Sequence, residues 1–135
     1  MARGIQVTFD AASPRELGRF WAEALGYVDQ PPPLGYDSWE EALDAMGIDR
    51  SDPDRAFAIV DPDGVGPRLF FQRVPEPKSA KNRMHLDVRA APDQLPARAA
   101  ALVALGARLV AEVDETGGHF ITMLDPEGNE FCLQG

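Results

Sequence analysis

The sequence predicts an α+β fold built from two tandem β-α-β-β-β modules, with curled sheets inside and helices outside. Three observations predict it. The stretch Met84 to Arg89 alternates strictly, with Met84, Leu86 and Val88 on one side and His85, Asp87 and Arg89 on the other, as a strand with one oily face requires. The turn Asp61-Pro62-Asp63-Gly64 recurs as Asp125-Pro126-Glu127-Gly128, and each copy precedes a strand pattern, Leu69-Phe70-Phe71-Gln72 and Phe131-Cys132-Leu133-Gln134. The same order of strand, glycine-ended helix and further strands stands before both turns, which marks an internal repeat.

In chain order, Ile5 to Phe9 alternates with Ile5, Val7 and Phe9 on one face and Gln6 and Thr8 on the other. A helix follows, with Ser13 as N-cap, Pro14 in the first turn and Glu16 in the capping-box position. Leu17, Phe20, Trp21, Ala24 and Leu25 fall on one helical face, and Gly26 ends it. Tyr27 to Gln30 reads as a short strand. Pro31, Pro32, Pro33 and Gly35 then break the pattern, and Ser38 caps a short amphipathic helix of Trp39, Ala42, Leu43 and Met46 that Gly47 ends. Ala56 to Val60 and Arg68 to Arg73 complete the first module as strands flanking the Asp61 turn.

After the connector Val74 to Arg83, the order repeats. Met84 to Arg89 is the strand, Asp93 a cap, and Gln94 to Leu105 a helix carrying Ala99, Leu102, Val103 and Leu105, with Gly106 beyond it. Arg108 to Val113 and His119 to Leu124 are strands joined by a hairpin turn at Gly117-Gly118. From Gly26 to Asp61 is 35 positions and from Gly106 to Asp125 is 19, so the first module carries a surplus of 16. The organisation is therefore one domain over 1–135, with module one at 1–75 including an insertion at 31–55, and module two at 83–135.

A chain of 135 residues with 44% hydrophobic residues supports one core and is too short for two ordinary domains. Its net charge of −9 argues against a nucleic-acid partner, which needs clustered Lys and Arg, and favours a cationic over an anionic ligand at long range. No apolar run reaches membrane-spanning length, which argues against a membrane partner. The single cysteine, Cys132, cannot form an intrachain disulfide and suits a reducing, cytoplasmic setting.

Parity lists the residues that face inward: Gln6, Thr8, Arg68, Phe70, Gln72, His85, Asp87, Arg89, Glu130, Cys132 and Gln134. Ile5, Val7, Phe9, Leu69, Phe71, Met84, Leu86, Val88, Phe131 and Leu133 face the helices. His85 beside Asp87 is the candidate for acid-base work, because imidazole next to a carboxylate exchanges protons near neutral pH. Candidate ligand-binding residues are Gln6, Thr8, Phe70, Gln72, Arg83, Arg89, Glu130, Cys132 and Gln134. The basic run Lys78, Lys81, Arg83 enters the His85 strand directly and can place a charge at the pocket rim. His119, after the glycine pair, reads as exposed.

The duplicated order, the helix end Phe20 to Gly26, the block Lys81 to Asp87 and the block Asp125 to Cys132 resemble the vicinal oxygen chelate superfamily, which holds glyoxalase I, bleomycin-resistance proteins and extradiol dioxygenases. Similarity is greatest to its small bacterial glyoxalase-like branch and covers essentially the whole chain. The resemblance implies that the modules curl into a half-open mixed β-barrel and that the protein forms a homodimer. In metal-dependent members the ligands stand on the first and last strands of each copy, positions held here by Gln6, Phe70, His85 and Cys132. Phe70 offers no donor, and Cys132 puts a soft thiol where a hard carboxylate is usual. The expectation is a small-molecule-binding protein without the superfamily's usual metal site and without a cofactor. The alternative is a lyase, isomerase or dioxygenase acting through His85 with Asp87 or an atypical metal.

Overall fold

A computed structural model describes all 135 residues. The elements follow the predicted order: β1 (Gln6–Ala11), α1 (Pro14–Leu25), β2 (Val28–Asp29), α2 (Trp39–Ala45), β3 (Ala56–Val60), β4 (Arg68–Arg73), β5 (Leu86–Arg89), α3 (Leu95–Ala104), β6 (Arg108–Glu115), β7 (Gly118–Leu124) and β8 (Glu130–Gln134). They form two four-stranded mixed sheets of the same topology, β1-β4-β3-β2 and β5-β8-β7-β6. In each, the first strand pairs in parallel with the last and the rest are antiparallel. A parallel pair needs a long crossover, and that crossover is where each module's helix sits. No ladder joins the two sheets, so the barrel stays open and β1 and β5 are edge strands. No helix is long and apolar enough to cross a membrane.

The alternation read from the sequence explains which face each sheet buries. Leu69 and Phe71 on β4 and Phe131 and Leu133 on β8 are buried toward the helices, with Leu17, Phe20, Trp21 and Ala24 of α1. These residues belong to one core cluster of 16 that spans both modules. Trp21 lies 5.3 Å from the Phe9 ring of its own module and 5.0 Å from the Phe131 ring of the other, and its Nε1 donates to Asp125 Oδ2 at 3.0 Å. Burying an indole removes roughly 200 Å² from water, which stabilises by about 5 kcal/mol before ordering costs.

Several local expectations fail for identifiable reasons. Ile5 and Met84 precede the first ladder pairs of β1 and β5 and are 74% and 88% exposed, so neither reaches the helix side. The Ser13–Glu16 capping box does not form. Glu127, from the second module's turn, instead accepts the backbone N–H groups of Ala12 and Ser13 at 2.6 and 3.0 Å. Asp93 sits inside a 3₁₀ turn at Pro92–Gln94 and does not cap α3. The buried stripe of α3 is Leu95, Ala99 and Leu102, spaced four and three residues apart, and Val103 and Leu105 fall off that stripe into solvent. His119 is half-buried against Glu112, its Nε2 2.9 Å from Oε1.

Module one carries α2 between β2 and β3, where module two runs directly from β6 to β7. Ser38 Oγ accepts the Glu41 N–H and caps α2, and Trp39 Nε1 donates to the Gln30 carbonyl at 2.8 Å, which pins the insertion to the end of β2. The two Asp-Pro-x-Gly turns share a conformation, with Gly64 and Gly128 both at positive φ (70° and 88°), where a side chain is disfavoured. Their aspartates differ. Backbone N–H groups of Gly66, Asp63 and Val65 hold the solvated Asp61 carboxyl below its ordinary range. Burial pushes Asp125 up, partly offset by N–H donors from Asn129, Trp21 and Glu127.

Asp125 is 1% exposed, so Asp125→Ala strands the Trp21 indole and the Asn129 and Glu127 amides without an acceptor. The expected loss is about 3 kcal/mol in urea unfolding. A raised folded-state value means that the contribution of this group is fully present below its ordinary 3.8 and is lost as pH rises through the raised value. Wild-type stability measured relative to Asp125→Asn is therefore expected to decline as pH rises from below 3.8, and a flat or rising difference contradicts the assignment.

Candidate ligand site at the open edge between the sheets

A cleft of about 1250 Å³ lies where edge strands β1 and β5 meet without pairing. Gln6, Thr8 and Asp10 line it from β1, Gln72 from β4, Glu130 from β8, and His85 from the residue before β5. Val7, Phe9, Trp21 and Leu86 supply apolar wall, and Lys78 and Asn82 of the connector close one side. The parallel register sets Gln6 beside Arg68, Thr8 beside Phe70 and Asp10 beside Gln72.

These side chains are already engaged. Gln6 Oε1 accepts from Arg68 Nη1 at 2.7 Å, and Gln72 Nε2 donates to Asp10 Oδ1 at 2.8 Å. Glu130 accepts from Lys78 Nζ at 3.2 Å and from the Asn82 backbone N–H at 3.0 Å. Burial opposes ionisation of Glu130, but hydrogen bonds from the Asn82 and Glu130 backbone N–H groups and the Lys78 ammonium outweigh it and hold the carboxyl below its ordinary value. His85 Nδ1 lies 3.4 Å from Asp87 Oδ1, with both side chains 42% exposed. Asp87 pairs across the ladder with Cys132, whose Sγ is 3.6 Å from Thr122 Oγ1.

The sequence-derived set is thus divided. Gln6, Thr8, Gln72, His85 and Glu130 share the cleft. Phe70 lines a second cavity, over the inner face of the first sheet, while Asp87, Arg83, Arg89, Cys132 and Gln134 line neither. Asp10 was missed although its parity matches Gln6 and Thr8, because β1 runs two residues beyond the alternation read from sequence. Asn82 and Asn129 carry no periodic signal. The rim cation is Lys78, not Arg83: the connector folds back onto Glu130 before it reaches Arg83. Four carboxylates, Asp10, Glu76, Glu127 and Glu130, line the cleft against the one ammonium of Lys78, which suits a neutral or cationic ligand.

The metal positions implied by the superfamily do not make a hard-ion site with these residues. Gln6 turns its only ligating atom to a guanidinium, Phe70 has no donor atom and faces another cavity, and Cys132 offers sulfur. A different donor set does exist on the second sheet, where ligand atoms of His85, Asp87 and Cys132 lie within 4.8 Å of one another. Nitrogen, oxygen and sulfur together suit a borderline-soft ion better than Mg²⁺ or Mn²⁺.

The family model of the glyoxalase-like domain matches residues 6–134. A search of curated proteins finds no match. Among solved structures, the fosfomycin resistance protein FosX from Mesorhizobium loti superposes with a TM-score of 0.68 at 13% identity, covering 99% of this chain and 92% of its own. A Listeria monocytogenes FosX variant complexed with Mn(II) and 1S,2S-dihydroxypropylphosphonic acid gives 0.68 at 12% identity, covering 99% and 90%. A glyoxalase-related enzyme from Fulvimarina pelagi gives 0.68 at 14% identity, covering 99% and 88%. At such identities the likeness is one of fold.

Glu130 fastens the connector to the cleft, so Glu130→Gln is expected to cost about 1 kcal/mol, discounted for the partial exposure of Lys78 and Glu130. Amide exchange at Asn82 should quicken about fivefold, by the same arithmetic. Because the folded-state value is lowered, the tether is present above the ordinary 4.5 and is lost only as pH falls through the depressed value. Exchange protection at Asn82 that disappears on raising pH contradicts this.

Proposed function

The chain belongs to the glyoxalase-like domain family, and on that premise we propose that it binds a small neutral or cationic organic molecule in the cleft between β1 and β5, without the metal centre usual in the wider superfamily. The observation that carries this reading is the 2.7 Å hydrogen bond from Arg68 to Gln6 Oε1, which gives the one oxygen donor at the first module's ligand positions to a cation already in place. A cleft of about 1250 Å³ with mixed apolar and polar walls is large enough for a drug-sized ligand. In this reading Val7, Phe9 and Leu86 bury the ligand's apolar part, while Thr8, Gln72 and His85 orient its polar groups. The Listeria FosX complex holds a phosphonate together with Mn(II). Here the acidic lining opposes a phosphonate unless a metal accompanies it.

The His85, Asp87 and Cys132 cluster favours a second reading, in which these residues hold a borderline-soft ion such as Zn²⁺ and the chain is a lyase, isomerase or dioxygenase. A bound ion there would polarise a ligand oxygen as a Lewis acid.

Elemental analysis and titration separate the two. The first reading expects well under 0.1 metal ion per chain, no change in melting temperature with EDTA, and quenching of tryptophan fluorescence by metal-free bleomycin, used as a cationic probe, at concentrations at least about tenfold below any effect of fosfomycin. Stoichiometric zinc, nickel, iron or manganese that disappears in His85→Ala overturns the first reading.

A further inference from the structure

The insertion that sets module one apart roofs a second cavity, of about 560 Å³, over the inner face of the first sheet. Phe70 and Ala58 form its floor, and Trp39, Leu43 and Ile48 of the insertion form its roof. The roof is fixed, because Trp39 Nε1 is bonded to the Gln30 carbonyl. Arg68 lies over the Phe70 ring, 5.2 Å from its centroid, at the edge of this space.

The bonding of Arg68 is unusual for a half-buried cation. Its Nε donates to Gln30 Oε1 at 2.8 Å and its Nη1 to Gln6 Oε1 at 2.7 Å, and both acceptors are neutral amides. No carboxylate pairs with it, and Asp52, which lines the same cavity, is paired with Arg73. A guanidinium carries five N–H donors in a planar fork, so three remain without a protein acceptor. A cation held in place by neutral amides beside an aromatic ring keeps its remaining donors available to an anionic group. We propose that this cavity binds a planar aromatic monocarboxylate, its ring system between Phe70 and Trp39 and its carboxylate on the free edge of Arg68. Exposed Asp29, Glu40, Asp49 and Asp52 also line the cavity, as do Arg15, Arg50 and Arg55, and the four carboxylates disfavour a second negative charge on the ligand.

The proposal is independent of what occupies the cleft between β1 and β5. It is tested by titrating the protein with 2-naphthoate and with its neutral counterpart 2-naphthalenemethanol while following the two indole N–H resonances. The acid should shift the Trp39 signal and not that of Trp21, and should bind at least tenfold more tightly than the alcohol, as expected for a charge-assisted hydrogen bond. Arg68→Gln should remove that preference, and His85→Ala should leave it intact. Equal binding of acid and alcohol, a Trp39 signal unmoved at millimolar acid, an undiminished preference in a folded Arg68→Gln, or loss of binding in His85→Ala each overturns the proposal. The acid–alcohol comparison on the wild-type protein decides even where Arg68→Gln does not fold.

Discussion

The docking of Trp21 between the two modules is the contact on which the remaining geometry depends. The sheets share no backbone ladder, so side chains alone decide how β1 stands against β5 and how wide the cleft between them is. Trp21 belongs to the first module's helix but packs its ring on Phe131 and gives its N–H to Asp125 of the second. Glu127 adds two hydrogen bonds to the chain entering α1, and Arg98 donates to the carbonyl of Ala24 near its end. The hydrophobic share, roughly 5 kcal/mol for an indole, exceeds the roughly 0.5–1.5 kcal/mol net contribution of one hydrogen bond. The polar share is directional, and it fixes the angle at which the apolar surfaces meet.

That docking also explains why two copies of one pattern have diverged. Both turns use an aspartate to gather backbone N–H groups, and both place glycine at the left-handed position. In the first copy the carboxylate stays in water and its donors favour ionisation. In the second the indole covers it, and desolvation outweighs the same kind of donors. Counting back from the glycine that ends each helix, Trp21 corresponds to Ala101, which is exposed and covers nothing. Gly18 is a related asymmetry: a Cβ there would stand 2.2 Å from the Phe57 ring, so α1 lies closer to its sheet than any other residue permits. Helix propensity disfavours glycine mid-helix by about 1 kcal/mol, and close packing prevails.

Periodicity and repetition made most of the fold legible in the sequence. Strand faces, helix ends and the equivalence of the two turns all follow from local pattern, because a two-residue period and a glycine stop are local constraints. What could not be read is what one module does to the other. Ser13 and Glu16 form a sound capping box on paper, yet it is Glu127, over a hundred positions away, that accepts the Ser13 N–H, together with that of Ala12. Gln6 and Phe70 have matching parity on paired strands and still line different cavities, because the insertion partitions the inner face. His85 and Glu130, inward-facing by parity, do share the cleft, whereas the connector cation opposite Glu130 depends on a chain path that no pattern encodes.

Arg68 joins the two cavities through a single atom, and electrostatics decides what that atom can do. Gln6 lines the cleft between the sheets, Arg68 lines the space beneath the insertion, and the 2.7 Å bond between them crosses from one to the other. A divalent ion coordinated by Gln6 Oε1 would stand within roughly 5 Å of the guanidinium. At an effective dielectric near 20 the repulsion is on the order of 7 kcal/mol, more than a neutral amide ligand returns. An anion on the far side of Arg68 reverses that sign. The same residue that discourages a cation at the first strand of module one is therefore suited to hold a carboxylate one cavity away, and a glutamine at position 6 keeps its acceptor oxygen at any pH, where a histidine would lose its acceptor on protonation.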